Sequence, residues 1–250
     1  MYVMGIDLGT GGARVVVCDG QGKVITTTNR ELNSSDVKLP AGYHEQYSDD
    51  WWDALSIAIR EALVNLNNHH INSEEITAIS VTSTSGTILP MDADYVAIHP
   101  ALMYNDSRSN READQVNLAA VSFNQQHGRS FNASYALAKI CWIKNNRPDI
   151  FKKTKRWVHA TDHIVGKLTG DYGVSDYSNA LKTGYDLFNL EWPEFIEKDL
   201  GIPVSSLPEV VAPGEVIGKI SQKCADETGL SINSIVCAGM TDSSASLLAT

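Results

Sequence analysis

The 250-residue sequence predicts an α/β fold in which helices flank a mixed β-sheet. The first part of the chain holds three short apolar or β-branched segments separated by turns, which is typical of an antiparallel meander. A later segment repeats apolar residues at three- and four-residue steps, as the buried face of a helix does. From there to residue 249, strand-like and helical segments alternate, which is the pattern of α/β proteins.

The predicted elements follow one another along the whole chain. Strands are predicted at 2–7, 13–18, 24–28, 76–82 and 87–91, near 157, and at 234–238. Helices are predicted at 50–68, within 108–150, after Thr161-Asp162, at 192–200, at 221–228 and at 245–249. Loops or connections are predicted at 31–47, 174–179 and 207–220, which are polar or contain proline and glycine.

The helix at 50–68 has both a capping signal and a buried face in the sequence. Ser48 or Asp49 is predicted to cap it, since either side chain can accept hydrogen bonds from its first amides. The residues of its predicted buried face are Trp51, Leu55, Ile59, Leu63 and Leu66. In the helical region 108–150, which Pro148 is expected to help end, the predicted core residues are Tyr135, Leu137, Ile140, Trp142 and Ile143.

The composition excludes several classes of function. The formal net charge is −10 and the basic residues are scattered, with one run at 152–156 that is typical of a solvated helix end. We therefore expect no nucleic-acid partner. The cysteines at 18, 141, 224 and 237 have no CxxC spacing and are predicted to be buried free thiols. No apolar run reaches about 18 residues and no leader is visible, which predicts a cytoplasmic protein without a membrane partner.

A glycine-rich turn at 7–14 (DLGTGGAR) lies between the first two predicted strands. Glycines let backbone amides approach an anion closely, and a carboxylate beside them can hold a magnesium ion through its water ligands. The residues predicted to bind a phosphate group and its metal are Asp7, Gly9, Thr10, Gly11, Gly12 and Arg14. The alternative is an ordinary glycine-rich hairpin with Arg14 facing solvent. Neither a P-loop motif nor GxGxxG is present, so a P-loop or Rossmann site is not supported.

Six motifs occur in a characteristic order along the chain: 7–14 (DLGTGGAR), 79–87 (ISVTSTSGT), 100–108 (PALMYNDSR), 175–186 (SDYSNALKTGYD), 207–214 (LPEVVAPG) and 238–243 (AGMTDS). In this order they resemble the FGGY carbohydrate kinases, and the glycine turn resembles the first phosphate loop of the actin-like ATPases. The segments 84–87, 104–106 and 179–182 are most similar to the D-ribulose kinases formerly called xylulose kinase-like. Serine and glycine at 85–86 stand where glycerol kinases carry an Arg-Glu pair, which argues against glycerol as the substrate.

The resemblance implies a fold and a domain organisation. The fold would be an actin-like ATPase (ribonuclease H-like) lobe, and residues 1–250 would be the N-terminal, sugar-binding lobe. Its partner would be a second lobe that carries the adenosine site and is absent from this sequence, with ATP and Mg²⁺ as cofactors. The isolated chain is then expected to be inactive, and the apolar face meant for the second lobe is expected to favour homodimers.

Asp242 follows the predicted strand at 234–238 and opens the last helix. The resemblance implies that this aspartate is the catalytic base that removes the proton of the sugar hydroxyl, and that it shares the metal site with Asp7. The local sequence alone favours a capping role, since Thr241, Asp242 or Ser243 can each cap this helix. Both roles can coexist in one side chain.

The resemblance also implies a sugar pocket. The predicted sugar-binding residues are Ser85, Gly86, Tyr104, Asn105, Asp106, Lys182 and Asp242. The small turn at 85–86 leaves room for a longer polyol, and the loop with His44–Gln46 is a candidate cover for the pocket. The simpler alternatives are a plain β-turn at 85–86, a turn before the next helix at 104–106, a solvated Lys182 and a surface loop at 44–46.

The predicted function is ATP-dependent phosphorylation of a ketopentose at a terminal hydroxyl, with D-ribulose as the leading candidate substrate. D-Xylulose differs from D-ribulose at one stereocentre, so a D-xylulose kinase or another FGGY polyol kinase is the nearest alternative. A non-catalytic sugar-binding or regulatory module is the alternative outside the enzymes.

Overall fold

The computed structural model describes residues 1–33 and 38–250, so the predicted loop at 31–47 lies partly outside the described residues. The strands are β1 (Tyr2–Leu8), β2 (Gly12–Asp19), β3 (Val24–Glu31), β4 (Glu45–Gln46), β5 (Ile76–Ser83), β6 (Leu89–Met91), β7 (Ala101–Leu102), β8 (Arg156–Val158), β9 (Val174–Asp176), β10 (Glu209–Val211), β11 (Val216–Lys219) and β12 (Ile235–Thr241). The helices are α1 (Ser48–Asn68), α2 (Asn110–Ala119), α3 (Val121–His127), α4 (Ala136–Asn146), α5 (Pro148–Lys153), α6 (Ala160–Thr169), α7 (Tyr177–Ala180), α8 (Phe195–Lys198), α9 (Gln222–Thr228) and α10 (Asp242–Leu248).

A six-stranded mixed sheet forms the centre of the fold, in the order β11-β12-β5-β1-β2-β3. β1, β2 and β3 are antiparallel neighbours, as the predicted meander requires. β5 pairs in parallel with both β1 and β12, and β11 pairs antiparallel to β12. Smaller two-stranded sheets join β4 to β7, β6 to β8 and β9 to β10. The predicted α/β class, with a mixed sheet flanked by helices, is confirmed.

Helix α1 covers one face of the sheet and contacts β2 and β3. Burial alternates along β1, so that Met4, Ile6 and Leu8 lie in the core shared with α1. The five residues predicted for the helix face are all buried in the same core: Trp51, Leu55, Ile59, Leu63 and Leu66. Burial of each large apolar side chain contributes about 1.5–3 kcal/mol. The alternating apolar residues of β1 and the apolar face of α1 therefore hold the helix against the sheet.

A second core lies among α2, α4, α5 and α8. Leu137, Ile140 and Ile143 are fully buried in it, as predicted. Tyr135 and Trp142 are only half-buried and pack against its edge. The prediction was too broad there, because hydrophobicity alone does not tell a core position from an edge position on the same helix.

Three local predictions are wrong. Ser48 is the first residue of α1, whose cap position is Tyr47, and no side chain caps it. Pro148 opens α5, where a proline needs no amide partner, and the helical region runs on to residue 153. The predicted loops at 174–179 and 207–220 contain β9, β10 and β11, because these short strands pair with segments that are distant in sequence.

The four cysteines are free thiols, as predicted, with Cys141 and Cys224 buried and Cys18 and Cys237 half-buried. Burial raises the pKa of Cys141 to about 12 and that of Cys224 to about 11, so both stay protonated. Among the helices in the described part of the chain, none combines the length and the apolar character needed to cross a membrane.

Candidate functional site

Three of the predicted site segments begin at one edge of the central sheet. Leu8 of β1 and Thr241 of β12 are both paired with Ser83 of β5. Because β1, β5 and β12 run parallel to one another, their carboxyl ends lie side by side at this edge. The chain continues from these ends into the glycine turn, the turn with Ser85, and Asp242. The structure therefore brings together segments that lie far apart in the sequence.

Backbone hydrogen bonds close the glycine turn. The Gly9 amide donates to the Gly12 carbonyl at 2.9 Å, and the Leu32 amide donates to the Gly11 carbonyl at 3.1 Å. A Cβ on Gly12 would lie 2.5 Å from the Arg30 carbonyl oxygen, whereas a Cβ on Gly11 would meet no described residue within 4 Å. Packing against β3 thus explains the glycine at 12. It does not explain the glycine at 11, where close approach of an anion remains the predicted reason.

Asp7 and Arg14 are paired at the ends of β1 and β2. Arg14 Nη1 lies 3.7 Å from Asp7 Oδ2, and the two side chains are 71% and 37% exposed, respectively. Burial raises the pKa of Asp7, Arg14 offsets part of this effect, and the carboxylate of Asp242 raises the pKa further. The two carboxylates predicted on the metal side therefore lie close enough for their charges to interact.

Asp7 has one neighbouring side-chain oxygen atom that suits a hard cation. Thr82 is its neighbour in the sheet, and the buried Thr82 Oγ1 has no hydrogen-bond partner among the described residues. Both residues line a cleft of about 870 Å³. No cluster of three or more His, Cys, Asp or Glu side chains that could hold a metal occurs in residues 1–33 and 38–250. A sparse oxygen set of this kind fits magnesium, which keeps several waters and is completed by phosphates.

Asp242 is the first residue of α10, and Thr241 occupies the cap position. Thr241 Oγ1 lies 3.0 Å from Ser244 Oγ, and it makes no capping bond to the backbone. One oxygen of Asp242 accepts a hydrogen bond from the Ser243 amide at 2.6 Å. Of the three residues predicted as caps, Thr241 holds that position. Asp242 stands just inside the helix, half-exposed, with carboxylate capacity left for a ligand.

The turn with Ser85 and Gly86 faces the segment that precedes α4. Gly86 has a φ of +80°, and a Cβ there would overlap the Ser134 carbonyl oxygen. The turn therefore requires glycine at 86 whatever the ligand. The Cβ of Lys182 lies beside the same position, and Lys182 Nζ is 4.5 Å from the centre of the Tyr135 ring. Burial lowers the pKa of Lys182. Ser85, Gly86 and Lys182 are thus neighbours, as the sugar-pocket prediction requires.

Tyr104 and Asn105 follow β7 and have exposed side chains. The Tyr104 amide donates to Thr87 Oγ1 at 3.2 Å, which holds this segment next to the turn with Ser85. Both side chains are therefore exposed on a segment that lies beside the turn with Ser85.

Asp106 differs from these two residues, because it is only 1% exposed. Its two carboxylate oxygens accept hydrogen bonds from the guanidinium of Arg108. Oδ2 also accepts a hydrogen bond from the His44 amide at 2.7 Å. The Asp106 carboxylate, which was predicted to contact the sugar, is therefore already hydrogen-bonded within the protein.

Arg108 is a residue of this region that the sequence pattern did not predict. Its guanidinium is buried between the rings of Tyr43 and Trp142, 3.8 Å and 4.9 Å from their centres. It also forms an ion pair with Glu45 at 2.6 Å. The one signal in the sequence was the spacing of Asp106 and Arg108, which allows an acid and a base to pair across a turn.

The segment 44–46 connects the two sides of the site. Gln46 Nε2 donates to the Thr10 carbonyl at 2.7 Å, and Glu45 holds Arg108. A cleft of about 320 Å³, whose walls include Thr10 and Asn105, lies beside this segment. The segment is therefore more than a surface loop, since it ties the glycine turn to the segment that carries the sugar-pocket residues.

Comparison with known proteins matches the model of the FGGY family of carbohydrate kinases, N-terminal domain, to residues 2–249. The xylulose kinase of Staphylococcus xylosus is 26% identical over 234 residues, which cover 93% of this chain and 47% of the relative. The glycerol kinase of Petrotoga mobilis is 29% identical over 226 residues, 87% of this chain and 44% of the relative. The chain thus spans about half the length of the curated relatives that it matches.

Solved structures give the same picture of the fold. The "xyloylose kinase" of Brucella ovis superposes with a TM-score of 0.87 and 27% identity, and the match covers 98% of this chain and 49% of that one. The xylulose kinase of Rhodospirillum rubrum has a TM-score of 0.91 and 23% identity, covering 100% and 50%. A glycerol kinase of Plasmodium falciparum, solved with ADP, has a TM-score of 0.86 and 20% identity, covering 97% and 48%. The predicted actin-like fold is confirmed by these neighbours. The chain belongs to the FGGY family of carbohydrate kinases, whose N-terminal domain it matches over nearly its whole length.

Proposed function

We propose that this chain is the sugar-binding lobe of an ATP-dependent ketopentose kinase. The observation that supports this most is that the glycine turn, the turn with Ser85, and Asp242 follow three parallel strands that end at one edge of the sheet. Phosphoryl transfer to a sugar needs a phosphate-binding turn, a hydroxyl-binding pocket and a base within reach of one another. The three segments supply these parts.

Asp242 is the proposed general base, which accepts the proton of the terminal sugar hydroxyl. Its carboxylate is half-exposed at the start of α10 and interacts electrostatically with Asp7. Asp7 and Asp242 would hold magnesium through its water ligands, and Thr10 with the turn amides would face the phosphates. When bound, ATP would supply the phosphoryl group and magnesium would neutralise its charge. Arg14, which is largely exposed, is available for a phosphate oxygen.

The sugar hydroxyls would be bound from two sides. Ser85 and Lys182 lie on one side of the proposed pocket, and Tyr104 and Asn105 lie on the other. Gly86 shapes the turn, and Asp106 contributes indirectly by holding Arg108.

The identity of the ketopentose has two candidates. The motifs resemble D-ribulose kinases, whereas the relatives from Staphylococcus xylosus and Bacillus subtilis are named xylulose kinases. Because the sugars differ at one stereocentre, the orientation of one hydroxyl toward the pocket would decide between them.

A second lobe is part of the proposal. It is supported by the share of the relatives that this chain covers, about half. That lobe would carry the adenosine site, so the 250-residue chain alone would bind a ketopentose weakly without phosphorylating it. A homodimer and a cytoplasmic location remain predictions.

The test is an ADP-release assay of the full-length protein with ATP, magnesium and, in turn, D-ribulose, D-xylulose, ribitol and glycerol. We expect turnover with one or both ketopentoses and little with glycerol. Turnover with glycerol alone would contradict the substrate class. Calorimetric binding of a ketopentose without any turnover would favour the non-catalytic sugar-binding module.

A further inference from the structure

We propose that Ser178 is a positioning residue for Asp242. Its hydroxyl holds the backbone at the junction of β12 and α10, and buried hydrogen bonds connect that junction to the turn with Ser85. This inference rests on the proposed role of Asp242 as the base.

Ser178 contacts the junction directly. The Thr241 amide donates to Ser178 Oγ at 2.8 Å. Thr241 is the last residue of β12 and the cap of α10, so Asp242 follows it without an intervening residue. The pairing of β12 with β5 shifts register between Cys237 and Met240. A side-chain acceptor therefore fixes the backbone just after the ladder becomes irregular.

Ser178 is itself fixed by Asp176, which is 2% exposed and caps α7. Asp176 Oδ1 accepts hydrogen bonds from Ser178 Oγ at 2.5 Å and from the Ser178 amide at 2.8 Å. Because the hydroxyl gives its only proton to a carboxylate, its lone pairs remain for the Thr241 amide. The donor–acceptor direction is thus defined from the Thr241 amide through Ser178 to Asp176.

The hydrogen bonds continue toward the sugar side. Asn179 Nδ2 donates to Asp176 Oδ2 at 2.6 Å and lies 3.3 Å from Thr161 Oγ1. Thr161 Oγ1 is 2.6 Å from Ser83 Oγ, at the end of β5 and two residues before Ser85. These four network residues are each at most 2% exposed. Asn179 Oδ1 has no hydrogen-bond partner among the described residues. The hydrogen bonds that are formed still restrain what they join, here the base and the turn that is proposed to hold its substrate.

The test compares Ser178→Ala, Ser178→Thr and Ser175→Ala in the full-length protein. Ser175 is a matched control, because it is buried in the same segment and its hydroxyl lies 3.3 Å from His159 Nδ1 instead of at the junction. We expect Ser178→Ala to lower kcat about 10- to 100-fold while KM for the ketopentose changes less than about threefold, since a displaced base acts on the transition state. Ser178→Thr should recover most of kcat, and Ser175→Ala should keep it.

Hydrogen exchange of the Thr241 amide gives a readout without turnover. It should be faster in Ser178→Ala and unchanged in Ser175→Ala. A folded Ser178→Ala protein with wild-type kcat would overturn the positioning role, as would an equal loss of kcat in Ser175→Ala. Asp242→Asn separates the two proposals. If the Asp242→Asn protein has wild-type kcat, the assignment of Asp242 as the base fails. If it is inactive while Ser178→Ala is normal, only the positioning role fails.

Discussion

The side-chain amide of Gln46 donates a 2.7 Å hydrogen bond to the carbonyl of Thr10. Its oxygen accepts a hydrogen bond from the indole of Trp51 at 2.9 Å. One side chain thus anchors the exposed glycine turn to the buried first turn of α1. A turn held in place before the ligand arrives loses less conformational freedom when it binds.

Gln46→Glu keeps the acceptor for Trp51 but removes the donor for Thr10. We expect KM for ATP to rise up to about 10-fold, because an exposed hydrogen bond of this kind contributes about 0.5–1.5 kcal/mol net, and KM for the ketopentose to stay close to wild type. Steady-state kinetics of the full-length protein measure both. Gln21→Glu, an exposed site in the turn between β2 and β3, adds the same charge as a control. An unchanged KM for ATP would contradict the anchoring role.

Gly11 and Gly12 should respond differently to alanine. A Cβ at Gly11 meets nothing within 4 Å among residues 1–33 and 38–250, whereas one at Gly12 meets the Arg30 carbonyl. We therefore expect Gly11→Ala to keep the unfolding temperature and raise KM for ATP, since the new methyl group obstructs a phosphate. Gly12→Ala should lower the unfolding temperature. Normal ATP kinetics in Gly11→Ala would mean that the turn is a plain hairpin at this position.

Asp7→Ala should weaken the magnesium dependence of turnover. The carboxylate stands next to Thr82, whose hydroxyl has no partner in the part of the chain that the structure describes, and it interacts with Asp242. Its removal therefore takes away an anchor for the ion's water shell. We expect the magnesium concentration for half-maximal rate to rise at least about 10-fold. Titration of activity with magnesium measures this, with Asp114→Ala, which removes an exposed carboxylate of α2, as the control for loss of one negative charge. A magnesium response identical to wild type would remove Asp7 from the metal site.

His163 predicts a pH dependence of stability. It lies between Trp51 and Tyr172, with ring centres 5.9 Å and 5.8 Å away. Burial, with Lys167 as a smaller cause, lowers the pKa of His163 from 6.5 to about 3. Below pH 6.5 the His163 side chain therefore binds a proton in the unfolded state but stays neutral in the folded state. The free energy of unfolding consequently falls as the pH drops toward 3. The slope from this one group is at most about 1.4 kcal/mol per pH unit.

His163→Phe removes the titrating group and keeps an aromatic ring. We expect it to flatten the fall of the free energy of unfolding between about pH 6.5 and pH 5, measured by urea denaturation. His69→Phe, at the exposed end of α1, is the control and should leave the slope unchanged. A wild-type slope in His163→Phe would show that another group dominates.

Much of the central sheet could be predicted, because β1, β2, β3 and α1 have strong local periodicity. β9, β10 and β11 could not, because they are short and depend on pairing with distant segments. The motifs singled out Asp7, Ser85 and Asp242, and the sheet pairing then showed that the strands before them end at one edge.

The supporting contacts of the site were beyond prediction for the same reason. Gln46 and Thr10 are 36 residues apart, and Ser178 and Thr241 are 63 apart. For Asp106, in contrast, the motif predicted a contact with a ligand. In the structure its carboxylate is buried and paired with Arg108. Only packing decides which polar residue of a motif faces inward.

The most direct test of the central claim follows the γ-phosphoryl group of labelled ATP into the sugar, in the full-length protein and in Asp242→Asn. The account predicts a labelled ketopentose phosphate from the wild-type protein. It predicts that Asp242→Asn forms this product about 10²- to 10⁴-fold more slowly, as expected for loss of a general base, while calorimetry gives nearly the same affinity for the sugar. Absence of labelled product with every ketopentose, or equal rates for the two proteins, would contradict it.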